Sequence, residues 1–276
     1  MSSVLVSTAE LEQNLAHWRV FDCRHDLMKP ELGEQQYREG HIPGALFASL
    51  ERDLSGKKTG RNGRHPLPDP QDFEKWLETT GLTPKDHAVC YDAGPGAMAA
   101  RLWWMLRWIG HDKVAVLDGG FAKWTKEGRA VTIDVPLFTP LNYPIKVRKD
   151  FAADVRTVEK DLGKALLLDA RAPVRYRGEQ EPIDPVAGRI KGARNRFNMD
   201  NLSADGTFKD KESLRKDFQS VLGNSSPAEV IHYCGSGVAA CHNLLAMEVA
   251  GLKGGKLYAG SWSEWSADPK RPHERG

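Results

Sequence analysis

The sequence has no apolar run long enough to cross a bilayer, which takes about 20 residues. The stretch from Leu102 to Ile109 is interrupted by Arg107 and ends at Gly110. Cysteine is scarce among the 276 residues: Cys23, Cys90, Cys234 and Cys241 form no CxxC pair and no dense framework. That argues against structural disulfides and zinc, and fits free thiols in a reducing cytosol. Charge of one sign is also lacking, because the formal net charge is +2 and basic residues are scattered. Nucleic acid is therefore not an expected partner. The opening MSSVLVSTAELEQNLAHW has no basic segment followed by an apolar run, so no signal peptide is expected. These absences leave a soluble cytoplasmic protein, away from membranes and long enough for two domains.

What is present is a duplication. Phe21-Asp22-Cys23-Arg24 matches Leu168-Asp169-Ala170-Arg171 at an offset of 147. Gly40-His41-Ile42-Pro43-Gly44-Ala45 matches Gly188-Arg189-Ile190-Lys191-Gly192-Ala193 at an offset of 148. Val89-Cys90-Tyr91-Asp92 matches Ile231-His232-Tyr233-Cys234 at 142, and Phe121-Ala122-Lys123-Trp124 matches Trp262-Ser263-Glu264-Trp265 at 141. Four blocks in one order at nearly one offset define two copies of one domain.

Each copy alternates short apolar strands with helices, the pattern of a parallel sheet covered on both faces. In the first copy Ser7 is placed to cap a helix, with Glu10 at its third position. Strands are expected at 20–22, 87–91 and 114–117, and a helix from Ala97 to Ile109 stopped by Gly110. The second copy repeats strands at 165–168, 230–231 and 256–258. Trp103, Trp104 and Trp108 recur at helical spacing and read as core. Between the copies, Pro136, Pro140 and Pro144 interrupt a stretch without helical period. The expected division is residues 1–133, an extended linker at 134–150, and residues 151–276.

The stretch Val230-Ile231-His232-Tyr233-Cys234-Gly235-Ser236-Gly237-Val238 carries the chemistry. It reads as a strand, a cysteine at its exit, a glycine-rich loop, and a helix opening near Val238. A sulfur there faces the positive end of the helix dipole and unpaired backbone N–H groups, which favour a thiolate. Gly235 and Gly237 let the loop from Ser236 to Ala239 curl around one atom. Cys234 is the candidate nucleophile, and Ser236 a candidate hydrogen-bond or proton donor. Cys241 and His242 fall in the helix and read as core. The first copy carries Asp92 at the matching place.

Taken together, the DxR, GHIPGA, strand-to-loop and DGGFxxW blocks and their counterparts resemble the tandem rhodanese family of sulfurtransferases over nearly the whole chain. The resemblance implies an α/β fold of two tandem rhodanese-like domains, the first silent and the second catalytic. The loop Cys234-Gly235-Ser236-Gly237-Val238-Ala239-Ala240 is similar to the CGSGVTA loop of the members that use 3-mercaptopyruvate. Members preferring thiosulfate carry a basic CRKGVTA-like loop. Three positions depart from the pattern: Ala239 replaces a threonine, Arg189 a histidine, and Lys191 a proline.

The implied reaction moves sulfur from a small-molecule donor, through a Cys234 persulfide, to a thiol, a thioredoxin-like dithiol or cyanide, without metal or organic cofactor. By resemblance, arginines of the segment 176–190 bind the donor's carboxylate and carbonyl, which puts Arg177 and Arg189 forward. Gly235-Ser236 offers no cation to a doubly charged thiosulfate, so 3-mercaptopyruvate is the expected donor and thiosulfate the alternative. His41 either lines a cleft near the site or fixes its loop. Asp169 and Arg171 are expected to pair and hold the loops at the strand's end. Cysteine phosphatase chemistry needs Cys-x5-Arg, and Ala240 occupies that sixth place. A non-catalytic binding or redox-sensing module would be expected to lose the second-copy thiol as well.

Overall fold

The computed structural model describes residues 3–276, and these divide into two compact units. Unit 1 comprises the chain up to Gly56, then Pro68–Arg148 and Ala204–Phe208. Unit 2 comprises Lys57–Leu67, Lys149–Ser203 and Lys209–Gly276.

Unit 1 runs β1 (Leu5–Val6), α1 (Thr8–Asn14), β2 (Arg19–Asp22), α2 (Leu32–Glu39), β3 (Ala45–Phe47), α3 (Pro70–Thr79), β4 (Ala88–Tyr91), α4 (Ala97–Trp108), β5 (Val114–Leu117) and α5 (Gly120–Lys126). Its five strands pair in the order β1-β5-β4-β2-β3, all parallel. Every residue of β4 and β5 is buried, as strands covered on both faces must be. Ser7 caps α1 by accepting the Glu10 N–H at 3.1 Å. Trp103, Trp104 and Trp108 lie buried on α4.

Unit 2 repeats the plan with α6 (Val155–Lys160), β6 (Leu166–Asp169), α7 (Pro173–Tyr176), β7 (Arg189–Ile190), β8 (Arg194–Asn195), α8 (Lys211–Leu222), β9 (Val230–Tyr233), α9 (Ala239–Val249), β10 (Lys256–Leu257), α10 (Ser261–Trp265) and β11 (His273–Glu274). Its parallel sheet has the order β10-β9-β6-β8, with Ala152 bridging to Leu257 where β1 stands in unit 1. β11 and β7 form a separate antiparallel pair. Tyr233, Tyr258, Trp262 and Trp265 fill the core.

The repeated motifs have one physical job in both copies. Arg24 pairs with Asp22 at 2.6 Å and donates to Gly40 O at 2.7 Å. Arg171 does the same with Asp169 and Gly188 O, again at 2.6 and 2.7 Å. Each pair thus ties a strand end to the glycine turn beyond it, as the sequence led us to expect. Both partners are buried, so removing one leaves an uncompensated charge, which costs about 3–5 kcal/mol. We expect Arg171→Met to lower stability by that amount in denaturant titration. A loss under about 1 kcal/mol, the range of an exposed pair, would refute the assignment.

The stretch 134–148, expected as an extended linker, has no regular structure and groups with unit 1. Tyr143 is buried with its hydroxyl 2.7 Å from His111 Nδ1, and the Lys146 N–H donates to Ile109 O at 2.8 Å. Residues 57–67, expected in the first domain, belong to unit 2 because their polar groups pair there. The Arg64 N–H donates to Ser263 Oγ at 3.0 Å.

Candidate active site

Strand β9 ends one residue before Cys234, so the thiol stands at the C-terminal edge of the sheet, opposite the opening of α9. Its carbonyl and that of Gly235 are held from α10. The Trp262 N–H donates to Cys234 O and the Ser263 N–H to Gly235 O, each at 3.0 Å. Sγ receives the N–H of Gly237 at 3.1 Å and of Ser236 at 3.4 Å, the first two of the amides from Ser236 to Ala239 expected around it. Gly237 has φ 79° and a Cβ there would overlap the Ala259 carbonyl oxygen, so the turn admits only glycine. Val238 is the N-cap of α9 and Ala239 its first residue. Cys234 is 3 % exposed.

In unit 1 the place that matches Cys234 holds Asp92. Asp92 Oδ1 accepts the N–H groups of Gly94 and Gly96 at 2.9 Å. Its Oδ2 accepts those of Met98 at 2.9 Å and Ala99 at 3.3 Å. The amides that could hold a sulfur anion already hold a carboxylate. Burial pushes the Asp92 pKa up, with the four N–H groups pulling against it.

Three residues that sequence reasoning did not single out surround the loop. His65 Nδ1 lies 2.8 Å from Ser236 Oγ, and both groups are buried. Arg64 Nη2 stands 2.7 Å from where a Cβ on Gly235 would be, and Arg175 Nη2 stands at 3.5 Å. Asp184 anchors both guanidinium groups: it pairs with Arg64, and Arg175 reaches it at 3.2 Å. Arg175 also pairs with Glu181 at 2.6 Å. Burial raises the Asp184 pKa, while Arg64 and Arg175 act to lower it.

The structure therefore corrects the reading of an uncharged neighbourhood. Gly235-Ser236 bring no cation of their own, but two distant segments supply two. The missing Cβ of Gly235 leaves the space that Arg64 fills. Arg177 and Arg189 are occupied elsewhere. Arg177 is half-buried and pairs with Glu179 at 2.6 Å. Arg189 lies over the Tyr176 ring at 4.5 Å and pairs with Glu274 at 3.1 Å. His41 is fully buried, with Nδ1 2.7 Å from Tyr37 O and Nε2 3.1 Å from Asp134 O. It fixes a loop of unit 1 and does not line an open cleft. His232, two residues before Cys234, is no proton donor: neither nitrogen has a partner, and burial lowers its pKa to about 3. Cys241 is buried, its thiol donating to Gly237 O at 3.3 Å, as its core reading requires.

The missed residues left faint signals. Residues 56–67 form a polar stretch rich in glycine and cations, without helical or strand period. Loops of that kind in compact domains are often functional. Arg175 stands two positions from Arg177, and only the turn of α7 decides which one faces the loop.

Comparison with known proteins agrees with this geometry. The rhodanese-like domain family matches residues 7–127 and 154–268. A Pseudomonas aeruginosa protein named "Probable 3-mercaptopyruvate sulfurtransferase" is 48 % identical over 261 residues, 93 % of this chain and 92 % of its own. The mouse thiosulfate sulfurtransferase is 35 % identical over 95 % of this chain and 91 % of its own. Among solved structures, 3-mercaptopyruvate sulfurtransferase from Leishmania major superposes with a TM-score of 0.86 at 32 % identity, covering 96 % of this chain and 74 % of its own. With two matched copies, two sheets of one topology and a single cysteine-bearing cradle, the chain belongs to the rhodanese family as a tandem-domain member.

Proposed function

We propose that the protein is a sulfurtransferase that takes sulfur from 3-mercaptopyruvate onto Cys234 and passes it to a thiol acceptor. The Cys234 thiolate attacks the donor sulfur, and the C–S bond breaks with its electron pair passing to carbon. The leaving group is the enolate of pyruvate, which must gain a proton. The product on the protein is a persulfide held by the Ser236 and Gly237 N–H groups. An acceptor thiol, a thioredoxin-like dithiol or cyanide then attacks the outer sulfur and releases the Cys234 thiolate.

The observation that carries the choice of donor is the Ser236–His65 pair. Thiosulfate leaves as sulfite, which needs no proton, whereas a leaving enolate does. A hydroxyl backed by an imidazole supplies it. The two guanidinium groups suit the planar carboxylate of the keto acid. They also suit a thiosulfate dianion, which keeps that donor as the second reading. Steady-state assays side by side test the proposal: kcat/KM should favour 3-mercaptopyruvate, and a clear preference for thiosulfate would overturn it. Arg175→Leu should raise KM for 3-mercaptopyruvate about ten- to a hundredfold, the worth of one charged hydrogen bond. An unchanged KM would remove Arg175 from the binding site.

All four cysteines are free, which supports a reducing compartment such as the cytoplasm. No helix among the described residues is long and apolar enough to cross a membrane.

A further inference from the structure

Ser261 is the one non-glycine residue with a positive φ among the described residues, at 56°. It opens α10 and is 0 % exposed. An L residue with a Cβ is strained there, and serine has none of the local advantage of asparagine or glycine. The duplication supplies an internal control. Gly120 holds the matching place in unit 1 with φ 57°. There the Phe121 N–H donates to Asp92 O at 2.8 Å and the Ala122 N–H to Ala93 O at 3.0 Å. These are the counterparts of the Trp262 and Ser263 bonds to Cys234 and Gly235. The turn and both backbone bonds thus form with glycine, and the fold does not require a side chain.

What unit 2 adds is the hydroxyl. Ser261 Oγ donates its one proton to Tyr258 O at 2.9 Å. That turns a lone pair toward the Cys234 N–H, which donates to Oγ at 3.1 Å. The preceding carbonyl, Tyr233 O, is fixed as well, by the Ala170 N–H at 2.9 Å. Both ends of the Tyr233–Cys234 peptide are therefore tied, and the Cα–Cβ bond of Cys234 can point in one direction. Sγ meets its two cradle donors only in that direction. We infer that Ser261 is a positioning residue for the nucleophile: its strained backbone is held in place so that its hydroxyl locks the Cys234 peptide and aims the sulfur. The inference rests on the reading of Cys234 as sulfur carrier.

The test compares wild type with Ser261→Gly, which removes the hydroxyl and relieves the strain together, and with Ser261→Ala, which removes the hydroxyl and keeps the strain. Three quantities are read: thermal midpoint, kcat and KM with 3-mercaptopyruvate, and the rate of Cys234 alkylation by iodoacetamide without donor. Ser261→Gly should keep a midpoint close to wild type while kcat falls about ten- to a hundredfold, the penalty for a nucleophile loosened by a fraction of an ångström. KM should stay near its wild-type value, because the guanidinium groups are untouched, and the alkylation rate should fall with kcat. Ser261→Ala should show the same kinetic loss with a lower midpoint. A Ser261→Gly protein with wild-type kcat and alkylation rate would overturn the inference and leave Ser261 a merely structural cap. If the wild type formed no Cys234 persulfide with donor, as read by mass spectrometry, the sulfur-carrier reading would fail. The alkylation ratio, which needs no donor, would still decide the role of Ser261.

Discussion

Cys234→Ser is expected to abolish sulfur transfer from either donor, with kcat down on the order of 10⁴ or more, as for the loss of a covalent nucleophile. Serine keeps the size and the cradle bonds, so stability should change little. A hydroxyl held by two N–H groups is still too basic to attack sulfur, and it cannot form a persulfide. Mass spectrometry of the wild type after donor addition should find one added sulfur atom on the peptide carrying Cys234. Cys241 lies on that same stretch of chain, so fragmentation must place the sulfur before residue 235. Its buried thiol, donating to Gly237 O, is not poised to accept it. Substantial turnover in Cys234→Ser, or the sulfur found on Cys241, would end the assignment.

The reason to trust one cysteine among four is the contrast between the two cradles. Both present amides at a strand-to-helix junction, and both are occupied by an anion-forming group. In unit 1 the occupant is Asp92, whose two oxygens take four N–H groups. In unit 2 it is a single sulfur atom that takes two. A thiolate or persulfide is large and soft, and can exchange its outer atom without dismantling the cradle. A carboxylate has no such atom to give.

Short-range features of this protein were legible because they rest on short-range physics. Short apolar runs became β4, β5, β6 and β9, and the Ser7 cap and the Gly110 stop follow from one turn of chain. The cradle around Cys234 belongs to the same class, since it is built from amides two and three residues away. The Asp–Arg pairs were legible through repetition. What the sequence withheld is the company of the loop. Arg64 and His65 come from residues 57–67, about 170 positions from Ser236. No periodicity connects such segments, and a charge count of the loop alone therefore missed both guanidinium groups. Arg177 and Arg189 lie in the right segment, but it is Arg175 that the fold brings beside Gly235, while Arg177 pairs with Glu179 and Arg189 with Glu274.

That hidden company sets the largest remaining effect. Ser236→Ala and His65→Asn should each lower kcat with 3-mercaptopyruvate about 10²–10³-fold, within the range that a positioned proton donor contributes. The C–S bond cannot break cleanly unless the developing enolate is met by a proton, and Ser236, whose N–H holds Sγ, carries a hydroxyl that can give it. His65 acts through it, accepting or returning the proton across 2.8 Å. With thiosulfate as donor the same variants should lose far less, because sulfite departs as a stable anion. The double variant should be little worse than either single one, since the pair works as one unit. The decisive number is the ratio of the two losses. If 3-mercaptopyruvate and thiosulfate turnover fell equally in Ser236→Ala, the hydroxyl would be holding the loop and not moving a proton. A steeper loss confined to 3-mercaptopyruvate would tie the preference for that donor to one hydrogen bond between residues 65 and 236.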